Sequence, residues 1–346
     1  MKKKLMIVLG NGFTIDFLNA IGNKTINVMN LFKDGHCVPW PVNNESGFLS
    51  FKYCPNLWHL GARPYIGDVE SMQLIEEIIT CANIADGNQA LNPNIDPENL
   101  YIKAYKELAI YLKHLFVHYD TKVDFSDEQI VRQIENWGWA KYLRMLDQST
   151  EYESITIVTY NYDVWLERVL KLLGIRFNVV GVQQGRPPSK FNIVKPHGSI
   201  SFAYRTGKTA LDRTSFQIRY NKSLSEGNIT DFRIKYTELD HNYLINALIP
   251  PAGDSSRLKY GWAGQLRNRA IKMAKTLSEN DEVIVCGISY WHVDRLELDG
   301  MLTSLNPAIN IKLINPYPPR ALNGILTSLF KNYICHTSSN ILGGVN

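Results

Sequence analysis

Apolar residues along this chain fall into two spacings, and the order in which the spacings alternate predicts the fold. Leu5-Met6-Ile7-Val8-Leu9 is an unbroken apolar run, the pattern of a strand buried on both faces. Gly10-Asn11-Gly12 ends it and turns the chain into a helix from about Phe13. Residues 37–65 are rich in Trp, Pro, Gly and Asn and read as irregular loop. Helical spacing takes over at 69–85, with Glu70, Glu76 and Glu77 on the side away from the apolar positions. Pro93 and Pro97 break it. Over 101–119, Ile102, Tyr105, Leu108, Leu112, Leu115 and Phe116 share one face, the clearest amphipathic helix in the chain. Ser126-Asp127-Glu128 opens a further helix, with Ile130, Val131, Ile134, Trp137 and Leu143 inward.

Strand patterns then return, at 155–159, 177–182 and 193–194. A helix over 163–173 separates the first two and stops at Gly174. Residues 205–242 are polar and irregular, a surface excursion or a hairpin. The apolar stretch 244–249 ends at Pro250-Pro251, and a helix over 260–277 leads to strands at 282–286 and 309–314. Strand–helix–strand alternation at both ends predicts an α/β fold: a doubly wound, mostly parallel Rossmann-like sheet built from residues 1–64 and 151–346. Residues 65–150 form an inserted helical subdomain between its first and second strands.

Composition narrows the function classes. The chain has 346 residues, 45% of them hydrophobic and 20% charged, an ordinary globular balance. No apolar run reaches the ~18 residues of a membrane span. The glycine turn interrupts the N-terminal run too early for a signal peptide, so a cytoplasmic location is expected. A net charge of +4 suits an anionic ligand without implying nucleic-acid binding. The five cysteines form no C-x-x-C pair, against a four-cysteine zinc site or a disulfide scaffold. Cys286, inside an apolar strand, reads as a small buried thiol. Neither G-x-S-x-G nor G-x-x-x-x-G-K-[ST] is present, against an α/β-hydrolase and a P-loop NTPase.

Candidate chemistry sits where strands end. Gly10-Asn11-Gly12 can bring backbone N–H groups and a helix N-terminus to a diphosphate, or form a plain tight turn. Gly287-Ile288-Ser289 repeats the arrangement; Ser289 either binds phosphate or ribose or caps a helix. Asn315, followed by Pro316, is placed for a ribose contact or for a turn. Thr159-Tyr160-Asn161-Tyr162-Asp163 and Lys195-Pro196-His197-Gly198-Ser199 each follow an apolar strand. Imidazole titrates near neutrality, so His197 can accept a proton from a sugar hydroxyl or a water. The Asn161 carboxamide can orient a water or a ribose hydroxyl. Asp163 either fixes an amide or ribose or caps the helix behind it. His241 and His292 stand alone, without metal-ligand spacing.

Taken in order, these segments resemble the bacterial sirtuin-like domains of antiphage defence, which act as NAD+ hydrolases. The resemblance runs through Gly10-Asn11-Gly12-Phe13, the T-x-N-x-D and H-G-S pair, Ile249-Pro250-Pro251, and Cys286-Gly287-Ile288-Ser289-Tyr290 with Asp294 after it. It covers most of the chain as islands. Asn11 stands where the family usually has alanine, and Gly10-Asn11-Gly12-Phe13 is also similar to the opening of AbiH-type abortive-infection proteins. The resemblance implies catalysis by Asn161 and His197. It implies NAD+ held as substrate, without a metal, by Gly10, Asn11, Gly12, Phe13, Thr159, Asp163, Gly287, Ser289 and Asn315. The cysteine-bound zinc module of protein deacetylases has no counterpart, which favours hydrolysis over deacylation. An unregulated NAD+ hydrolase would kill its host, so gating by homo-oligomerisation or by a partner, such as a ring-forming ATPase of the same defence operon, is expected. A non-catalytic NAD or ADP-ribose sensor, a protein deacylase and a nuclease-like or structural subunit are the competing readings.

Overall fold

The computed structural model describes residues 2–89, 99–183, 189–205, 218, 227–241, 243, 245–250, 261–291 and 295–344. The proline break at 92–97 and Pro251, His292 and Asp294 lie outside them. The elements run β1 (Lys3–Leu9), α1 (Asn11–Ala20), α2 (Pro55–His59), α3 (Asp68–Gln89), α4 (Leu100–Asp120), α5 (Glu128–Asn136), α6 (Gly138–Gln148), β2 (Tyr152–Thr159), α7 (Trp165–Leu172), β3 (Phe177–Val179) and β4 (Phe191–Val194). The second half adds β5 (Phe202–Tyr204), β6 (Phe232–Ile234), α8 (Trp262–Ala274), β7 (Glu282–Cys286), α9 (Arg295–Leu302), β8 (Asn310–Ile314), α10 (Arg320–Leu329) and β9 (Asn332–His336).

Seven strands form one sheet in the order β3-β4-β2-β1-β7-β8-β9, and every pairing in it is parallel. The expected doubly wound α/β sheet is what the chain forms. From β1 the chain works outward to one edge through β2, and from β7 to the other. The order therefore reverses between β1 and β7, the switch point outside whose strand carboxyl ends α/β sheets bind their ligands.

Alternation along β1 supplies both layers of the core. Leu5, Ile7 and Leu9 belong to the core that α1, α3, α4, α6 and α7 share, while Met6 and Val8 belong to the one that α8, α9 and α10 share. The helices at 68–148 share the first of these cores with α1, α7 and the sheet. α4 seats Leu108, Leu112 and Leu115 there, each fully buried and each contributing about 1.5–3 kcal/mol of burial.

Several elements depart from the expected boundaries for visible reasons. The helix begun at Asp127 splits at Trp137, which adopts extended backbone (φ −67°, ψ 137°). Its indole Nε1 donates to Asp16 Oδ2 at 2.9 Å, and the next residue, Gly138, passes so close to the C-terminal turn that a Cβ there would lie 2.7 Å from the Ser339 carbonyl. The strand expected over 177–182 ends at Val179, and β4 begins at Phe191. Within 205–242 the described part includes β6, antiparallel to β5. No helix of the described residues is long and apolar enough to cross a membrane.

Candidate nucleotide crevice

The loops after β1 and β7 meet backbone to backbone. Gly10 N–H donates to the Cys286 carbonyl at 2.9 Å and Gly12 N–H to the Gly287 carbonyl at 3.0 Å. A Cβ on Gly12 would lie 2.4 Å from Gly287 Cα, so a side chain there would force the loops apart. Gly287 itself has φ +65°, the left-handed region. Both glycine segments are thus required for this contact, and the Gly12 N–H of the α1 N-terminus is already committed within it.

Asn161 closes the third side. Its Nδ2 donates to the Gly10 carbonyl and to Thr14 Oγ1, both at 3.0 Å, and Thr14 Oγ1 donates in turn to Asp163 Oδ2 at 2.7 Å. A carbonyl accepts only, and the Thr14 proton is spent on the carboxylate. The amide nitrogen must therefore face inward and Oδ1 away from these partners. Thr159 Oγ1 accepts the Asn161 N–H at 3.2 Å, which steadies the turn.

Beneath this chain lies a buried ion pair. Lys195 Nζ donates to the Asp163 carbonyl at 2.5 Å and to Glu167 Oε1 at 3.0 Å, with the side chains of both Lys195 and Glu167 almost fully buried. Asp163 Oδ1 accepts the Trp165 N–H at 3.1 Å, an Asx turn just ahead of α7. Burial pushes the Asp163 carboxyl up; the Lys195 ammonium and the Thr14 hydrogen bond offset only part of that shift.

His197 goes to the other layer. Gly198, at φ +84°, turns the chain so tightly that a Cβ would fall 1.9 Å from the Ala247 carbonyl. His197 is 4% exposed; its ring meets Tyr160 edge-on at 4.9 Å, and Nε2 lies 3.2 Å from Glu297 Oε2. Burial alone would push the Glu297 carboxyl up, but the charge and hydrogen bond of His197, together with Arg267, hold it below the usual carboxylate range.

The structure draws the two motif loops together largely through backbone groups. Ile200 N–H donates to the Tyr162 carbonyl at 3.0 Å, Tyr162 OH to the Ile249 carbonyl at 2.5 Å, and Ile249 N–H to the His197 carbonyl at 3.0 Å. Asn161, however, leans on α1, while His197 leans on α8 and α9. Of the other predicted residues, Phe13 is buried between Trp137 and Trp139. Asn11 is exposed and donates to the Val28 carbonyl at 3.0 Å. Asn315 Oδ1 accepts the Tyr317 N–H in a turn, and Ser289 is exposed beside Gly287. Burial pushes the Cys286 thiol far up, so it is not a thiolate near neutrality.

Sequence reasoning missed Thr14, Glu167, Arg267 and Glu297. The last two carried a readable signal, a charge on the apolar side of a helix: Arg267 follows the spacing of Ala263, Ala270 and Ala274, and Glu297 lies one turn before Met301. A groove of about 430 Å³ bordered by Ala20, Arg132, Gln133, Trp137 and Asn340 lies at the opposite end of α1 from the glycine turn and contains none of the predicted residues. Among the described residues no group of three His, Cys, Asp or Glu is arranged to hold a metal ion.

No family model matches this chain, and no curated protein does. Among solved structures it is similar to one described as a Sir2 homologue, a histidine-to-asparagine mutant, in complex with ADP-ribose. The two share 14% identity over 99% of this chain and 90% of that chain, with a TM-score of 0.37. At that distance no residue role and no ligand is transferred from it.

Proposed function

We propose that the chain hydrolyses NAD+ at the nicotinamide–ribose bond, releasing nicotinamide and ADP-ribose. The observation that carries this reading is the anchored carboxamide of Asn161. With Nδ2 tied to Gly10 and Thr14, Oδ1 is the atom left to accept a hydrogen bond from a water or a ribose hydroxyl, beside the switch-point crevice where α/β sheets bind nucleotides. In the reaction the bond from C1′ to the pyridinium nitrogen breaks, its electron pair neutralises the leaving nicotinamide, and a water oxygen bonds to C1′. The leaving group needs no proton, so positioning and charge stabilisation suffice. His197 takes the proton released by the water or by a ribose hydroxyl. Gly10, Gly12, Gly287 and Ser289 lie along the diphosphate side and Asn315 near the second ribose, while Asp163 acts through Thr14 rather than on the ligand.

The same proposal makes the chain a gated effector of antiphage defence, switched by self-assembly or by a partner ATPase. Incubation with NAD+ followed by chromatography for nicotinamide tests the chemistry. Asn161→Ala and His197→Ala each lower turnover by about 100-fold or more while keeping the parent's circular dichroism. Parent-like turnover in both variants refutes the assignment. The burial of His197 favours a second reading, a sensor that binds NAD+ or ADP-ribose without cleaving it; binding with no nicotinamide released selects that one.

A further inference from the structure

Two charged residues outside every sequence motif surround His197. Glu297 Oε2 lies 3.2 Å from His197 Nε2 and 3.1 Å from Arg267 Nε. All three residues are buried, on β4's exit turn, α9 and α8. Burying a carboxylate and a guanidinium carries a desolvation penalty for each ion, and well-packed apolar residues would serve stability as well. The Tyr160 ring also meets the imidazole edge-on at 4.9 Å, while the Lys195 ammonium, two residues back, turns away to Glu167. Glu297 Oε1 is buried without a hydrogen-bond partner among the described residues, so the carboxylate's attachments all run through Oε2.

We propose that Glu297 and Arg267 are positioning residues for His197: the Glu297 carboxylate fixes the imidazole through Nε2, and the Arg267 guanidinium limits how firmly that carboxylate retains the imidazolium. The role given to His197 rests on the hydrolase reading; the geometry of the cluster does not. A carboxylate beside an imidazole favours its protonated form, and a guanidinium sharing that carboxylate weakens the effect. A histidine acting as base works only when neutral. Glu297→Gln therefore lets His197 lose its proton at lower pH, and Arg267→Met makes it hold the proton to higher pH.

The experiment is a histidine ring NMR titration of the full chain, with the His197 signal among the eight histidines identified by its loss in His197→Gln. The expected midpoint falls by about one pH unit in Glu297→Gln and rises by about the same amount in Arg267→Met, while Arg267→Lys stays near the parent. The acidic limb of NAD+ hydrolysis moves in the same two directions, and kcat of Glu297→Gln drops about 10- to 100-fold as the ring loses its orientation. A merely structural role lowers activity without moving either midpoint, and unchanged midpoints overturn the proposal. If Glu297→Gln does not fold, Arg267→Met against Arg267→Lys decides alone. A parent chain that releases no nicotinamide defeats the hydrolase reading, yet the titration still judges the cluster, so the two failures are told apart.

Discussion

Lys195 and His197 are two residues apart, yet they enter opposite layers of the molecule. Lys195 descends to α7 and pairs with Glu167 beneath the Asn161 network. His197 is thrown by the Gly198 turn toward α8 and α9, where it meets Glu297 and Arg267. In a regular strand residues two apart share a face; here the chain has left β4, and the turn over 195–198, closed by the Gly198 N–H donating to the Lys195 carbonyl at 3.0 Å, separates them. The Lys195 side balances one cation against Glu167 with Asp163 nearby. The His197 side gathers up to two cations around one carboxylate. One cluster holds backbone in place, and the other surrounds an imidazole with a carboxylate and a guanidinium.

Removing Lys195 tests the first half of that contrast most severely. Lys195→Met leaves Glu167 as an unpaired buried carboxylate, whose Oε2 already finds no partner among the described residues. The expected loss is about 3–5 kcal/mol in urea unfolding. Lys195→Met with Glu167→Leu recovers much of it, because an apolar pair replaces the ions. A double variant no more stable than the single one would mean that the Lys195 bond to the Asp163 carbonyl, rather than the ion pair, holds the loop.

The two buried carboxylates respond to acid in opposite senses, a smaller effect that sharpens the comparison. Burial raises the folded pKa of Asp163 above the usual carboxylate range, so the stability it contributes is full below the unfolded pKa and is lost as pH rises through the folded one. His197 and Arg267 hold the folded pKa of Glu297 below the usual carboxylate range against its burial, so its contribution is present above the unfolded pKa and is lost as pH falls through the folded one. Relative to Asp163→Asn, the parent loses stability as pH climbs above about 4. Relative to Glu297→Gln, it loses stability as pH drops below about 4.5. Chemical denaturation at a series of pH values reads both slopes, and two slopes of the same sign would erase the distinction between the clusters.

How far the sequence revealed this depends on whether a feature is local. The buried strand 5–9, the glycine turn and the motif loops are written in contiguous residues, and their spacing alone predicted a parallel doubly wound sheet. Trp137 looked like an inward helical residue and is inward, but its backbone is extended because Asp16 and the C-terminal turn, both distant in sequence, hold that corner. β9 was invisible because it is an edge strand with a largely exposed pattern, lacking the apolar run that marks a central one. In the site, Asn161 was legible and its anchor Thr14 was not, since only the folded crevice brings α1 to β2. Arg267 and Glu297 stand seventy and a hundred positions from His197, and no spacing rule links them.

The smallest effect comes from comparing two asparagines on one crevice. Asn161 is tied inward by hydrogen bonds to the Gly10 carbonyl and to Thr14 of α1, whereas Asn11 is exposed at the first position of that helix and reaches outward to the Val28 carbonyl and the Met29 sulfur. A surface side chain with one good hydrogen bond contributes little to stability, so Asn11→Ala stays within about 0.5–1 kcal/mol of the parent. Alanine is a better helix former than asparagine, which offsets part of even that loss. What remains is any contact with a diphosphate. If Asn11 touches ligand equally in the ground and transition states, KM rises severalfold with kcat unchanged. Because the side chain points to the 28–29 loop, away from Gly287, the expected change in KM is less than about threefold, and in kcat none. A large loss of kcat in Asn11→Ala, comparable to that of Asn161→Ala, would place the reacting end of the substrate over the glycine turn and reverse the orientation proposed for it.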